Sequence, residues 1–244
     1  MKNLKIYTSL FLFFFVITTQ AQLRNKTVSG NGNVITKTIK TTDYDKIAVA
    51  GIYFVTLVEG EEGQITIKGE ENLLEVTIIE VNGNSLVIKT ENNTNLKPSR
   101  NNKIEVLVPV QSVSVISLAG SGDIRTENLN LKSEDMEVSL AGSGDIKLVI
   151  ETSNLLTKVA GSGDIELAGK ATILTGKLAG SGDLNLFNLS TEKADVSIAG
   201  SGDIMVLCTE DLKARIAGSG DIVYKGNPRI KDTKTAGSGS IKSF

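Results

Sequence analysis

The phrase Leu-Ala-Gly-Ser-Gly-Asp-Ile at 140–146 recurs through the second half of the chain. A phrase repeated at near-constant spacing commits a chain to a repeating architecture before any other signal is read. Copies begin at Leu118, Leu140, Val159, Leu178, Ile198, Ile216 and Thr235, in steps of 22, 19, 19, 20, 18 and 19 residues. Each reads apolar-Ala-Gly-Ser-Gly-Asp-apolar except the last, which is Thr-Ala-Gly-Ser-Gly-Ser-Ile. Seven copies with two glycines each take 14 of the chain's 24 glycines.

The flanks of the phrase alternate with period two. Met136, Val138 and Leu140 precede one copy, and Ile165 and Leu167 follow another. Such alternation marks a strand with one buried face. Each repeat therefore reads as strand, Gly-Ser-Gly-Asp corner, strand and a variable return. A unit of about 19 residues cannot bury its own apolar face, so neighbours must stack. The expected fold is all-β: a parallel β-helix, or β-solenoid, of about seven corner coils, each rising about 4.8 Å. Two glycines per corner are expected to supply positive φ for a sharp turn. The last copy reads as a polar end coil, with Thr233 and Thr235 at apolar positions, Ser240 for Asp, and Lys231, Lys234 and Lys242 adding charge.

The half before the corners, 22–115, reads as β-rich but less regular, and 116–244 as the regular coils. Strands are expected at Val34–Thr41, Ile52–Val58, Gln64–Lys68, Val76–Val81, Ser85–Thr90 and Lys103–Val108. Asn82-Gly83-Asn84 is a hairpin signal, and Glu70 to Leu74 could make one helical turn. Val28-Ser29-Gly30-Asn31-Gly32-Asn33-Val34 and Ala50-Gly51-Ile52 read as worn copies of the corner, and Asn92–Asn102 as a polar loop. No linker separates the two halves, so 22–244 is taken as one continuous β structure.

Residues 1–21 read as a secretory signal peptide: Lys2 and Lys5, an apolar run from Ile6 to Ile17, then Thr19-Gln20-Ala21. No later segment is apolar enough to span a membrane. Without Lys2 and Lys5 the chain keeps 24 basic and 28 acidic residues, a net charge of −4. That balance offers no basic field for nucleic acid. The single cysteine, Cys208, alternates with Ile204 and Val206 and reads as a buried core thiol. The chain has no histidine, which removes Ser-His-Asp and Cys-His catalysis and most zinc sites.

Stacking places Asp123, Asp145, Asp164, Asp183, Asp203 and Asp221 in one row. Neighbouring carboxylates about 5 Å apart repel by roughly 1 kcal/mol in water. Either each aspartate caps backbone N–H groups of its own or the next corner, or calcium bridges the row. A stacked carboxylate row could also serve a polysaccharide-active β-helix enzyme, but an active site normally breaks the repeat, and coils two to six show no break. The chain is therefore read as non-enzymatic, with no catalytic residue and no required cofactor. A second outward row holds Ser117, Ser139, Lys158, Lys177, Ser197, Arg215 and Lys234. Its basic members Lys158, Lys177, Arg215 and Lys234 could meet an acidic glycan or a protein, or simply keep a solvated face soluble.

Three features together carry a resemblance: the opening SGNGNV, the segment YDKIAVAGIYFVTLVEG with ITIKGEENLLEVTIIEVNGNSLVIKT, and the serial AGSGDI corners. They resemble the head GIN domain family of auto-transporter adhesins over nearly all of 25–244. The resemblance implies a right-handed β-helix-like fold, export by a Gram-negative bacterium to the periplasm, outer surface or exterior, and an adhesin-like role without enzyme activity. Its surface ligand, a glycan or a protein, is not named by these residues.

Overall fold

The computed structural model describes residues 26–100 and 102–244; the signal-peptide reading lies outside the described residues. The repeats form a parallel stack. The strands Leu131–Gly142, Asp145–Gly161, Asp164–Gly180, Leu184–Gly200 and Ile204–Gly218 each run around a coil and pair in parallel with the next. The register is fixed at the corner. Gly120, Gly142, Gly161, Gly180, Gly200, Gly218 and Gly237 form one column. Inward residues of every coil fill one continuous core, Val138, Ile146, Leu155, Ile165, Leu174 and Val196 among them. Cys208 lies in that core, fully buried, and burial pushes its thiol pKa up.

The two corner glycines are required for different reasons, which corrects the expectation that both turn through positive φ. The first has φ between +131° and +150° in the seven corners. The second does not enter the left-handed region. It is glycine because of the coil beneath it: a Cβ on Gly163 would stand far inside the 3.0 Å that real Cβ atoms keep from a neighbour, against the carbonyl oxygen of Gly144. The approach is close because one carbonyl serves two donors. The Gly142 oxygen accepts from Ser162 N–H at 2.8 Å and from Gly163 N–H at 3.1 Å, and the Gly120 oxygen does the same for Ser143 and Gly144.

The column continues into the first half. Lys46–Gly51 pairs in parallel with Val115–Gly120, setting Gly51 under Gly120, so Ala50-Gly51-Ile52 is a true worn corner. In this copy Tyr53 stands where the second glycine would be, and Phe54 stands in the aspartate row opposite Asp123. Tyr53 is fully buried, and its hydroxyl bonds Thr90 Oγ1 at 2.8 Å.

Antiparallel strands then close this end. Thr77–Asn82 and Ser85–Thr90 form the expected hairpin around Gly83, and Ser85–Thr90 also pairs in parallel with Lys46–Gly51. Val34–Lys40, Gln64–Glu70 and Ile104–Val110 pair antiparallel in turn. The helical turn is present at Glu71–Leu74. The polar stretch 92–102 is not all loop: Thr94–Lys97 pairs in parallel with Lys26–Ser29 in a separate two-stranded sheet.

At the other end the strand Ile230–Gly237 is exposed along its whole length, with Thr233 and Thr235 at the inward positions. It pairs with Ile204–Gly218, whose Leu212, Ala214 and Ile216 stay buried.

Gly163→Ala should cost more than about 2 kcal/mol, since backbone in a packed ladder cannot relax around a methyl group. Ser162→Ala, on the exposed residue beside it, should stay within about 0.5 kcal/mol. Urea midpoints of the two variants decide this; equal midpoints would refute the close-approach argument.

Candidate functional site

The aspartate row is present and forms a hydrogen-bonded ladder. Asp164 Oδ1 accepts from the backbone N–H of Asp183 at 2.7 Å, Asp183 Oδ1 from Asp203 at 2.9 Å, and Asp203 Oδ1 from Asp221 at 2.7 Å. Asp145 Oδ1 accepts from Asp164 at a longer 3.3 Å. The ladder ends at Ser240, whose N–H and hydroxyl both donate to Asp221 Oδ1, while Lys242 Nζ pairs with Asp221 Oδ2 at 3.2 Å. The Ser240 bonds first, then Lys242, hold the Asp221 carboxyl below its usual range. From Asp145 to Asp221 one oxygen of each carboxylate is committed to the coil above. Among the described residues no group of three acidic, cysteine or histidine side chains converges as a metal cluster would. This geometry is the capping arrangement.

Asp123 departs from the pattern. The N–H of Asp145 bonds the Gly122 carbonyl at 3.2 Å instead, and among the described residues the Asp123 carboxylate accepts no hydrogen bond. The repeat therefore breaks at its first coils, where Phe54 and Asp123 occupy the aspartate row. Around them lies a concave stretch of sheet of about 390 Å³, where the antiparallel strands meet the first coils. Sequence reasoning missed it. Its one local signal is the Phe54 that replaces aspartate in the worn corner.

The basic row is stacked as expected, with Ser139, Lys158, Lys177, Ser197, Arg215 and Lys234 in register. It is not a uniform positive stripe. Lys158 pairs with Glu137 at 2.9 Å, and Arg215 pairs with Asp232, holding that carboxyl below its usual range. Ser197 interrupts the row between Lys177 and Arg215.

A second missed residue is Glu70, 1% exposed. The segment Gly30-Asn31-Gly32 is not a stacked corner; it wraps this carboxylate. Gly32 N–H donates to Oε1 at 2.6 Å, Ser99 N–H to Oε2 at 2.8 Å, and the Ser99 hydroxyl donates to Oε1. Gly30 is glycine because a Cβ there would strike the carboxylate. Asn72 accepts from Asn31 N–H and donates to the Ser29 carbonyl, which ties the first strand down. Desolvation pushes the Glu70 pKa up, but the donors from Ser99 and Gly32 together outweigh it, and the carboxyl stays ionised below its usual range.

The fold and its rows define a parallel β-solenoid with a breached first coil. The chain belongs to the family described as "Putative auto-transporter adhesin, head GIN domain", whose model matches residues 43–228. It is similar to the crystal structure of a putative adhesin from Bacteroides fragilis, with 25% identity, a TM-score of 0.80, and 89% of this chain and 100% of that one covered. It is also similar to a putative lipid binding protein from Parabacteroides distasonis, with 30% identity, a TM-score of 0.75, and 90% and 100% covered. A putative adhesin from Parabacteroides merdae shares the fold at 22% identity and a TM-score of 0.65, with 90% and 99% covered. No curated protein matches the chain.

Three outcomes follow from the ladder and from the wrap around Glu70. Asp183→Ala should cost about 1 kcal/mol through the lost cap on Asp203, while Asp183→Asn, which keeps an acceptor and removes a like charge, should stay within about 0.5 kcal/mol. Calcium should leave the melting temperature where excess EDTA puts it; a calcium-dependent rise lost in Asp183→Asn would make the row a metal site. For Glu70 the folded pKa is depressed, so its contribution is full above the ordinary carboxylate range, about 4.3, and is lost as pH falls through the folded value. Protection of the 26–33 amides against exchange, relative to their intrinsic rates at each pH, should therefore fall in acid, and Glu70→Gln should lower it at neutral pH. Unchanged exchange in that variant would remove Glu70 as the anchor.

Proposed function

We propose that this chain is a non-enzymatic, adhesin-like binding protein, exported by the leader at 1–21 and working at the cell envelope or outside it. The observation that carries the reading is the parallel stack itself, joined to membership of an adhesin-described family. From the second corner onward the outward rows repeat in register, and the ladder carboxylates are engaged in structure rather than gathered for acid–base work. Regular rows suit many weak, equivalent contacts, whose combined avidity exceeds any one of them. Among the described residues no helix is long and apolar enough to cross a membrane.

The test has two arms. Intact cells producing the protein should lose it to external protease or release it to the periplasm and medium, and beads coated with it should be retained on glycan- or protein-bearing surfaces above beads coated with albumin. Retention of the chain in the cytoplasm, or coated beads that bind no better than the albumin control, would end the reading.

A further inference from the structure

We propose that the concave sheet face around Phe54 and Arg125 is a binding site for a short neutral saccharide. The proposal deepens the adhesin-like reading and rests on it.

The face is built by register. Lys68, Glu105, Phe54 and Asp123 lie side by side across four strands, and Thr66, Leu107, Thr56 and Arg125 form the adjacent line. One line spans positions 54 to 123 and the other 56 to 125, so no local motif announces them. The 390 Å³ cavity falls in the range of small-ligand sites, about 300–1,000 Å³. It coincides with the break in the repeat, where Phe54 replaces an aspartate and Asp123 has no capping duty. Elsewhere the row's carboxylates are occupied by the scaffold; here one is left for something else.

The charge pattern selects the ligand. Lys68 and Glu105 neutralise one another at 3.2 Å. Among the described residues, Lys103 and Arg125 make no ion pair, and neither do Asp123 and Glu127. Two cations and two carboxylates around one hollow give no net field, so an anion gains little by entering. They do present strong donors and strong acceptors together. A sugar hydroxyl donates and accepts at once, and neighbouring hydroxyls are matched by such mixed groups. Arg125 is already oriented, its Nε donating to Thr56 Oγ1 at 3.3 Å.

The apolar part fits the same ligand. Leu107 is 41% exposed on this face. The Lys103 ammonium lies 3.8 Å from the centre of the Phe54 ring, which shows that this ring face accepts a positive edge. The C–H face of a pyranose carries such an edge, and the long lysine can swing aside to admit it. Two apolar side chains are too few to take up an acyl chain, which argues against a lipid here.

The test uses the protein expressed from its full chain, titrated by calorimetry and by NMR with maltose, cellobiose, lactose and diacetylchitobiose. Glucuronate and phosphatidylglycerol vesicles serve as anionic comparisons. At least one neutral disaccharide should bind with a dissociation constant near or below about 1 mM. Arg125→Ala, a change on the surface, should weaken it at least about tenfold, and so should Phe54→Ala if its melting curve remains cooperative. Lys89→Ala, on the hairpin away from this face, should leave it unchanged. The proposal is overturned if none of the four sugars binds, if binding survives Arg125→Ala, or if only the anionic probes bind. Failure here with bead adhesion intact would remove the site and keep the adhesin reading. Sugar binding without adhesion would do the reverse.

Discussion

At the corners of Gly51, Gly120, Gly142, Gly161, Gly180 and Gly218 a glycine carbonyl receives two N–H groups from the coil above, at Gly200 it receives one, and the rest of the stack is arranged around that contact. It brings successive backbones so close that neither glycine can carry a side chain. It also sets the register. A slip of one residue would push an alanine or serine into the column and turn every inward side chain outward. The apolar alternation on either side supplies the stabilising burial, but the corner decides which residues meet. This is why coil lengths can differ by up to four residues while the glycine column stays aligned: the variation is absorbed in the return, where the pairing carries its irregularities, near Glu166–Ala168 and Leu186–Ser190.

The aspartate ladder is a secondary consequence of the same contact. Like charges held about one coil apart repel by roughly 1 kcal/mol in water, and a charged acceptor on a backbone N–H offsets this with about 1.5–3 kcal/mol. From Asp145 onward attraction exceeds repulsion at each step, whereas the Asp123–Asp145 step lacks this bond. Lys242 supplies a counter-ion at the end, where Asp221 faces Ser240 in place of another aspartate. The basic row works differently. Its members are exposed or half-buried, and two of the four are already neutralised by Glu137 and Asp232.

Much of this was legible in the sequence because a repeat states its neighbours openly. The corner phrase announced both its own stacking and the alternation of Met136, Val138 and Leu140, and it placed Asp164 beside Asp183. The hairpin at Gly83, the helical turn at Glu71–Leu74 and the buried Cys208 followed from local chemistry. What stayed hidden depends on contacts across long stretches of chain. Gly30 and Gly32 look like corner glycines, yet their partner is a carboxylate about 40 residues on. Thr94–Lys97 is too polar to read as a strand and exists because Lys26–Ser29 lies beside it. The hollow at Phe54 draws on five strands from separate parts of the chain. The role of the second glycine was misread because its constraint is the neighbouring coil, which a single repeat does not contain.

The stack is also asymmetric along its axis. One end is closed by antiparallel strands that pair between positions close in sequence, such as Thr77–Asn82 with Ser85–Thr90; the other ends in an open, polar coil. Hairpins close small loops, whereas a parallel coil has little to hold it until another coil is there to receive it. The closed end is also the part of the chain synthesised first. It can therefore serve as a template on which each new coil is laid down as it emerges, every deposited corner becoming the mould for the next. On this geometry growth of the stack has a direction, from the closed end toward the polar coil.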